Sequence, residues 1–102
     1  MSVTAIPKQD ERLLIIKVSG NFDFSVQKDF RTAYETNRDV STYRIDLSET
    51  KHIDSAGLGI LMAMRTSVNT DNTRIEICRC NKDVMQLLDI FRIGKYFKIL
   101  SV

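Results

Sequence analysis

Only two cysteines and one histidine occur in the chain, and this scarcity removes several classes of function at once. Cys78 and Cys80 stand two residues apart, so in a strand they point to the same face without turning toward each other. That is a poor geometry for a disulfide, and reduced thiols are expected. Cys-Arg-Cys with a distant His52 cannot supply the four ligands of a structural zinc site, so no metal is expected. Long apolar runs are missing too. Leu13 to Ile16 and Gly59 to Met64 fall far short of the roughly 20 residues that a membrane span needs. Charge arrives by Lys8 with no apolar stretch after Met1, so no signal peptide is read; a cytoplasmic protein without membrane insertion is expected. Lys8, Arg12, Lys17, Lys28, Arg31 and Arg38 are scattered singly and not interleaved with aromatics, so nucleic acid is not an expected partner.

What remains is an ordinary globular composition, with 43% hydrophobic and 27% charged residues and a net charge of +2. At 102 residues the chain can bury a core without staples, so a single domain spanning 1–102 is expected, as a monomer and without a cofactor.

Val3 to Ile6 reads as a short strand closed by Pro7. Arg12 to Ser19 is a stronger one, almost continuously apolar, which predicts a strand covered on both faces. Gly20-Asn21-Phe22-Asp23 breaks it. From Ser25 to about Arg38, Val26, Phe30, Ala33, Tyr34 and Asn37 recur at helical spacing. A strand over Thr42 to Leu47 and a helix from Ser55 to about Asn69 follow, then a strand over Thr73 to Cys78. Asn81 should cap a third helix with Val84, Leu87, Leu88 and Phe91 on one face, which Gly94 stops. The order β-β-α-β-α-β-α predicts an α/β fold. Its sheet is mixed and mainly parallel, of four to five strands, with an antiparallel N-terminal edge and helices packed on it. The segments GNFD, SETKHIDS and RCNKD then leave the carboxyl ends of the strands on one rim, where open α/β sheets place their sites.

The stretch Asp54-Ser55-Ala56-Gly57-Leu58-Gly59 opens the second helix on that rim. Two glycines in a first turn cost about 0.8–1 kcal/mol each relative to alanine, which calls for a reason outside helix propensity. Helical spacing puts Gly57, Ile60, Leu61, Met64 and Val68 on a core stripe. Ser55, Leu58 and Met62 form a second stripe running into Arg65 and Thr66. It is either an exposed binding face or the mark of a helix buried on two sides. Ser55 is likewise open to two roles, a helix N-cap or a phosphorylation site at a helix N-terminus. The glycines would let a partner's backbone approach its hydroxyl.

These residues resemble a known family. Asp54 to Gly59 after the strand Arg44-Ile45-Asp46-Leu47-Ser48 is similar to the signature of STAS domains, the family of bacterial anti-sigma factor antagonists and sulfate-transporter C-terminal domains. Gly20-Asn21-Phe22-Asp23 resembles the family's Gly-x-Leu-Asp loop with Phe22 for leucine, and Cys80-Asn81 through Phe97-Lys98-Ile99 resembles its closing helix and terminal segment. The resemblance implies that Ser55 is phosphorylated by a serine kinase that is also an anti-sigma factor-like partner. The unphosphorylated form would bind that partner, phosphorylation would release it, and a PP2C-type phosphatase would reset the switch. Asp23 and Asp54 would frame the acceptor, Gly57, Leu58 and Met62 would form the contact, and Asp46 would hold the rim loop. Ala56 replaces the second serine of the Ser-Ser version of the motif.

Two alternatives accompany this reading. One is a constitutive STAS subunit of a transport or signalling assembly, for example in lipid transport, with Ser55 only a cap. The other is an enzyme. Ser55, His52 and Asp54 superficially offer a triad, but no Gly-x-Ser-x-Gly turn is present and residues this close in sequence do not readily align nucleophile, base and orienter. No glycine-rich phosphate loop is present either. The protein is therefore expected not to be an enzyme.

Overall fold

The computed structural model describes residues 2–68, 70 and 72–100. Strand β1 (Val3–Lys8) pairs antiparallel with β2 (Leu13–Val18), from Val3 opposite Val18 to Lys8 opposite Leu13. Pro7 lies within β1, at the sheet edge, where a missing N–H is tolerated. Three parallel neighbours follow across the sheet: β4 (Thr42–Asp46), β6 (Arg74–Cys78) and the short β7 (Lys98–Ile99). The expected mixed, mainly parallel sheet with an antiparallel N-terminal edge is what forms, with five strands in the order β1-β2-β4-β6-β7.

Two segments read as loops are strands. β3 (Gly20–Phe22) pairs in parallel with β5 (Thr50–Ile53) as a separate two-stranded ribbon. Each carries too few residues to display a period of two, and the buried register pair Phe22 and Ile53 holds them together. The chain changes sheets at Gly20, whose φ of +82° lies in the left-handed region that favours glycine. The buried Thr50 hydroxyl donates to the Val18 carbonyl at 2.6 Å and ties the ribbon to the main sheet.

Helix α1 (Gln27–Glu35) follows a 3-10 turn, Phe24–Val26, and is shorter than the pattern predicted. The Thr36 hydroxyl donates to the Thr32 carbonyl at 2.7 Å, beside the Thr36 N–H, and the Asn37 side-chain amide donates to the Ala33 carbonyl at 2.8 Å, the acceptor that the next helical N–H would have used. Helix α2 spans Ser55–Val68, and Asn69, its expected end, lies outside the described residues. Helix α3 (Lys82–Ile90) is capped by Asn81 as expected, with the Val84 N–H donating to its side chain at 2.8 Å. It ends before Gly94, through Arg92 in the left-handed conformation, and Gly94 falls in a following 3-10 turn, Ile93–Lys95.

The core lies between the helices and the sheet face carrying Leu14, Ile16, Val18, Tyr43, Ile45, Ile75 and Ile77. The expectation that β2 is covered on both faces is corrected. Ile15 and Lys17 are only half-buried, because their row continues into Arg44 and Glu76, an ion pair at 2.9 Å rather than a second apolar layer. No helix among the described residues is long and apolar enough to cross a membrane.

On α2 the expected core stripe of Gly57, Ile60, Leu61, Met64 and Val68 is buried. The second stripe is not an exposed face. Leu58 is buried and Met62 half-buried, because α2 packs on the β3–β5 ribbon and the Phe24–Val26 turn as well as on the sheet, so more than one stripe is covered. The two glycines also separate. A Cβ on Gly57 would overlap the Phe22 carbonyl oxygen and lie 2.8 Å from Ile53 Cγ1, whereas one on Gly59 would meet nothing within 4 Å. Gly57 is therefore required by the protein's own backbone and not by an approaching partner.

Opposite effects of one substitution at the two positions follow. Gly57→Ala should destabilise the fold by about 1–3 kcal/mol, the usual cost of overpacking. Gly59→Ala should stabilise it by about 0.5–1 kcal/mol through helix propensity. Urea unfolding of both variants checks this, and equal changes at the two sites would contradict the packing described.

Candidate functional site

The site grows out of the β3–β5 ribbon. Because Phe22 and Ile53 are register partners in parallel strands, the residues that follow them, Asp23 and Asp54, leave the ribbon side by side at its carboxyl end. The Asp54 N–H reaches the Phe22 carbonyl at 3.4 Å across this junction. Each aspartate then caps a helical segment. The Asp23 carboxylate accepts the Ser25 N–H at 3.0 Å and also the Ser25 hydroxyl, closing the 3-10 turn. The Asp54 carboxylate accepts the Gly57 N–H at 2.9 Å, and its carbonyl accepts the Leu58 N–H at 3.0 Å.

Asp54 is thus the N-cap of α2, and Ser55 is its first helical residue. This corrects the reading of Ser55 as the cap and leaves its exposed side chain without a structural duty at the helix start. Gly59 lies one turn further along the same face and is also exposed, so no side chain at that position screens the hydroxyl. Of the other residues singled out, Asp23 and Asp54 stand beside Ser55 on the rim, while Gly57 and Leu58 face the interior and Met62 is half-buried. Asp46 holds the rim turn as expected, accepting the Ser48 N–H at 2.9 Å. His52 is an exposed strand residue paired with Asn21 in register.

Three contributors escaped the sequence reading. Ser25 fixes Asp23, and the signal for it was Asp-x-Ser, the spacing at which a carboxylate turns back onto the backbone two residues on. Phe24, between them, is 70% exposed, an aromatic displayed by a turn that packs on α2. Asn81 does more than cap α3: its side-chain amide donates to the Thr50 carbonyl at 2.9 Å and anchors that helix on the ribbon.

The rim is electrostatically uneven. Among the described residues no ion pair neutralises Asp23 or Asp54. The hydrogen bonds from the Ser25 hydroxyl and N–H hold the Asp23 carboxyl below the usual aspartate range, so it stays ionised. Nearby thiols are the reverse case. Burial, with Cys78 and Asp46 adding to it, pushes the Cys80 thiol up to about 11, and burial raises Cys78 as well. Both are free, protonated at neutral pH and poor nucleophiles. No group of three or more His, Cys, Asp or Glu among the described residues is placed to hold a metal ion.

Comparison with known proteins agrees with this architecture. The family model described as "Mlab, STAS domain" matches residues 6–101. The chain is similar to a STAS-domain containing protein of Pseudomonas aeruginosa, PA14_20770, at 36% identity over 97% of this chain and 99% of that one. Among solved structures, an anti-sigma factor antagonist from Mycobacterium paratuberculosis superposes with a TM-score of 0.79 at 17% identity, covering 99% of this chain and 87% of the other. The anti-sigma factor antagonist SpoIIAA in its unphosphorylated form gives 0.76 at 14% identity, covering 98% and 88%. At such identities the structures share the fold.

The geometry predicts which residue caps α2. Asp54→Ala should cost about 1 kcal/mol of stability, while Ser55→Ala should stay within about 0.5 kcal/mol of the parent. Denaturant titration separates the two, and a larger loss at Ser55 would return the cap to it. The Asp23 carboxyl has a lowered folded pKa, so its stabilising contribution is present above its unfolded pKa and is lost as pH falls through the folded value. Removing the donor with Ser25→Ala should move the Asp23 titration upward in carboxyl-detected NMR; an unmoved titration would dissociate the two residues.

Proposed function

The chain belongs to the STAS domain family, and on that footing we propose that it is a phosphorylation-controlled protein-binding regulator of the anti-sigma factor antagonist kind. Ser55 is the acceptor. The unphosphorylated protein binds a serine kinase that is also an anti-sigma factor-like partner, phosphorylation releases it, and a PP2C-type phosphatase restores binding. STAS domains are binding and regulatory modules rather than enzymes.

The observation that carries this reading is the division of labour between Asp54 and Ser55. Because the aspartate caps the helix, the serine can be modified without unmaking the helix start. A phosphate there meets the positive end of the α2 dipole, which favours an anion by about 0.3–1 kcal/mol, so the modified protein stays folded. Binding is another matter. The phosphate adds about −1.5 to −2 charges beside the Asp54 carboxylate. At about 6 Å in a mostly aqueous setting that repulsion amounts to roughly 1–2 kcal/mol. A partner that had to bury the dianion would lose several kcal/mol more unless it supplied cations. Desolvation, rather than repulsion within the rim, makes the switch sharp.

The contact surface is revised from the one expected. Since Leu58 is buried, it shapes the surface from beneath, and the outward-facing apolar contacts are Phe24 and the accessible edge of Met62, framed by Asp23 and Asp54. Burying such side chains contributes about 1.5–3 kcal/mol apiece when they become fully covered.

The test uses Ser55→Asp, since an acidic residue in the first helical turn is compatible with the dipole and keeps the fold. That variant should lose at least tenfold in affinity for the kinase partner that wild type and Ser55→Ala bind, measured by titration calorimetry. Mass spectrometry of protein from cells should find a phosphorylated peptide covering residues 52–65. Undiminished binding by Ser55→Asp, with no such peptide under any growth condition, would favour a constitutive subunit of a transport or signalling assembly instead.

A further inference from the structure

A second surface is built at the far end of α2 and does not depend on Ser55. Three of the large apolar side chains left exposed by the fold lie within seven residues of one another: Ile90 at 63%, Phe91 at 53% and Tyr96 at 43%. They sit where α3 ends, across the left-handed Arg92 and the Ile93–Lys95 turn. The turn is held by successive backbone bonds, Arg92 N–H to Asp89, Lys95 N–H to Arg92 and Tyr96 N–H to Ile93, each within 3.1 Å. Ile93 and Phe97 are buried beneath it, so the outward residues stand on a fixed base. From α2, the Arg65 guanidinium lies over the Tyr96 ring with Cζ 5.1 Å from its centroid, bridging the second helix to this turn.

The charge around the patch has one dominant sign. Arg65, Arg92 and Lys95 border it and take part in no ion pair among the described residues, with the Asp89 carboxylate beside Ile90 as a counter-charge. A centre of Ile, Phe and Tyr with an arginine stacked on the aromatic has the composition of a protein-interface core, and the cations form its polar rim. An anionic bilayer fits less well: Asp89 adjoins Ile90 and would oppose the headgroups, whereas a protein partner needs only one donor to meet it.

The geometry points to a docking surface for an acidic protein segment with apolar anchors, formed by Ile90, Phe91 and Tyr96 within the cationic border of Arg65, Arg92 and Lys95. It is independent of the phosphorylation state of Ser55. Ten residues of helix separate Ser55 from Arg65, about 15 Å at 1.5 Å per residue, nearly twice the Debye length of about 8 Å at physiological salt. A charge placed on Ser55 is screened before it reaches the border, and α2 links the two surfaces without coupling them. The protein can then hold one partner constantly while releasing another.

Site-specific photo-crosslinking in cells tests this, with p-benzoylphenylalanine introduced in place of Phe91 and the cross-linked peptide sequenced. A protein segment rich in Asp or Glu and carrying apolar residues is expected. Its yield should fall at least tenfold on combining Arg65→Glu with Lys95→Glu, and stay within twofold on Ser55→Asp. Thermal melting confirms that the charge-reversed protein is folded, and the milder Lys95→Gln should give an intermediate yield. Cross-links to lipid, to a second copy of this chain or to a segment without acidic residues, or no cross-link at all, would overturn the proposal. A yield that fell with Ser55→Asp would overturn its independence from the rim.

Discussion

Everything on the rim depends on how closely α2 approaches the backbone of β3. The helix can lie there only because Gly57 has no Cβ to strike the Phe22 carbonyl. The closeness has a geometrical product. With α2 seated on the ribbon and the ribbon paired in parallel, Asp23 and Asp54 emerge together and both become caps. A larger residue at Gly57 would lift the helix and part the two carboxylates. The loss in helix propensity, about 1 kcal/mol, is thus offset by packing that sets the positions of three rim residues at once.

That constraint also distributes roles along one helix. The Asp54 carboxylate and carbonyl satisfy two of the first N–H groups, so Ser55 is exempt from capping and Gly59 leaves it uncovered. The interior stripe from Gly57 to Val68 makes α2 a rigid beam, and the Arg38 side chain donates to the Ser67 carbonyl at 3.2 Å where the helix ends. One end presents carboxylates and a hydroxyl. Toward the other, Arg65 reaches across to Tyr96. Helix α2 thus carries opposite charge at two places, a distribution that distinguishes ligands by sign as well as by shape.

Much of the architecture could be read from the chain. The continuous apolar run of β2, the alternation in Thr42–Leu47 and Thr73–Cys78, and the helical spacing around Phe30 and Leu88 all answer to periodicity, and the elements they announced are present. The misses have a common cause. β3 and β5 are too short to show a period, Phe24 and Leu58 differ in exposure only because of what lies beside them, and the Ile15 face of β2 is half-open only because Arg44 and Glu76 occupy the neighbouring strands. None of these is a property of a local window. The end of α1 at Glu35 was legible in principle, since Thr36 and Asn37 are residues whose side chains compete for backbone groups.

By itself the sequence determined the α/β class, the order of the principal elements and the rim on which the motif around Ser55 lies, because these follow from side-chain periodicity and from a motif written in consecutive residues. Tertiary structure alone decided that Asp54 and not Ser55 is the cap, that Gly57 serves the interior while Gly59 leaves the surface bare, and that Leu58 is buried. The physical reason for Gly57 is a contact between α2 and the β3–β5 ribbon, whereas the choice of cap rests on side-chain orientation within Asp54–Gly57. That ribbon joins segments some thirty residues apart, and only the folded chain brings them within van der Waals distance of the helix.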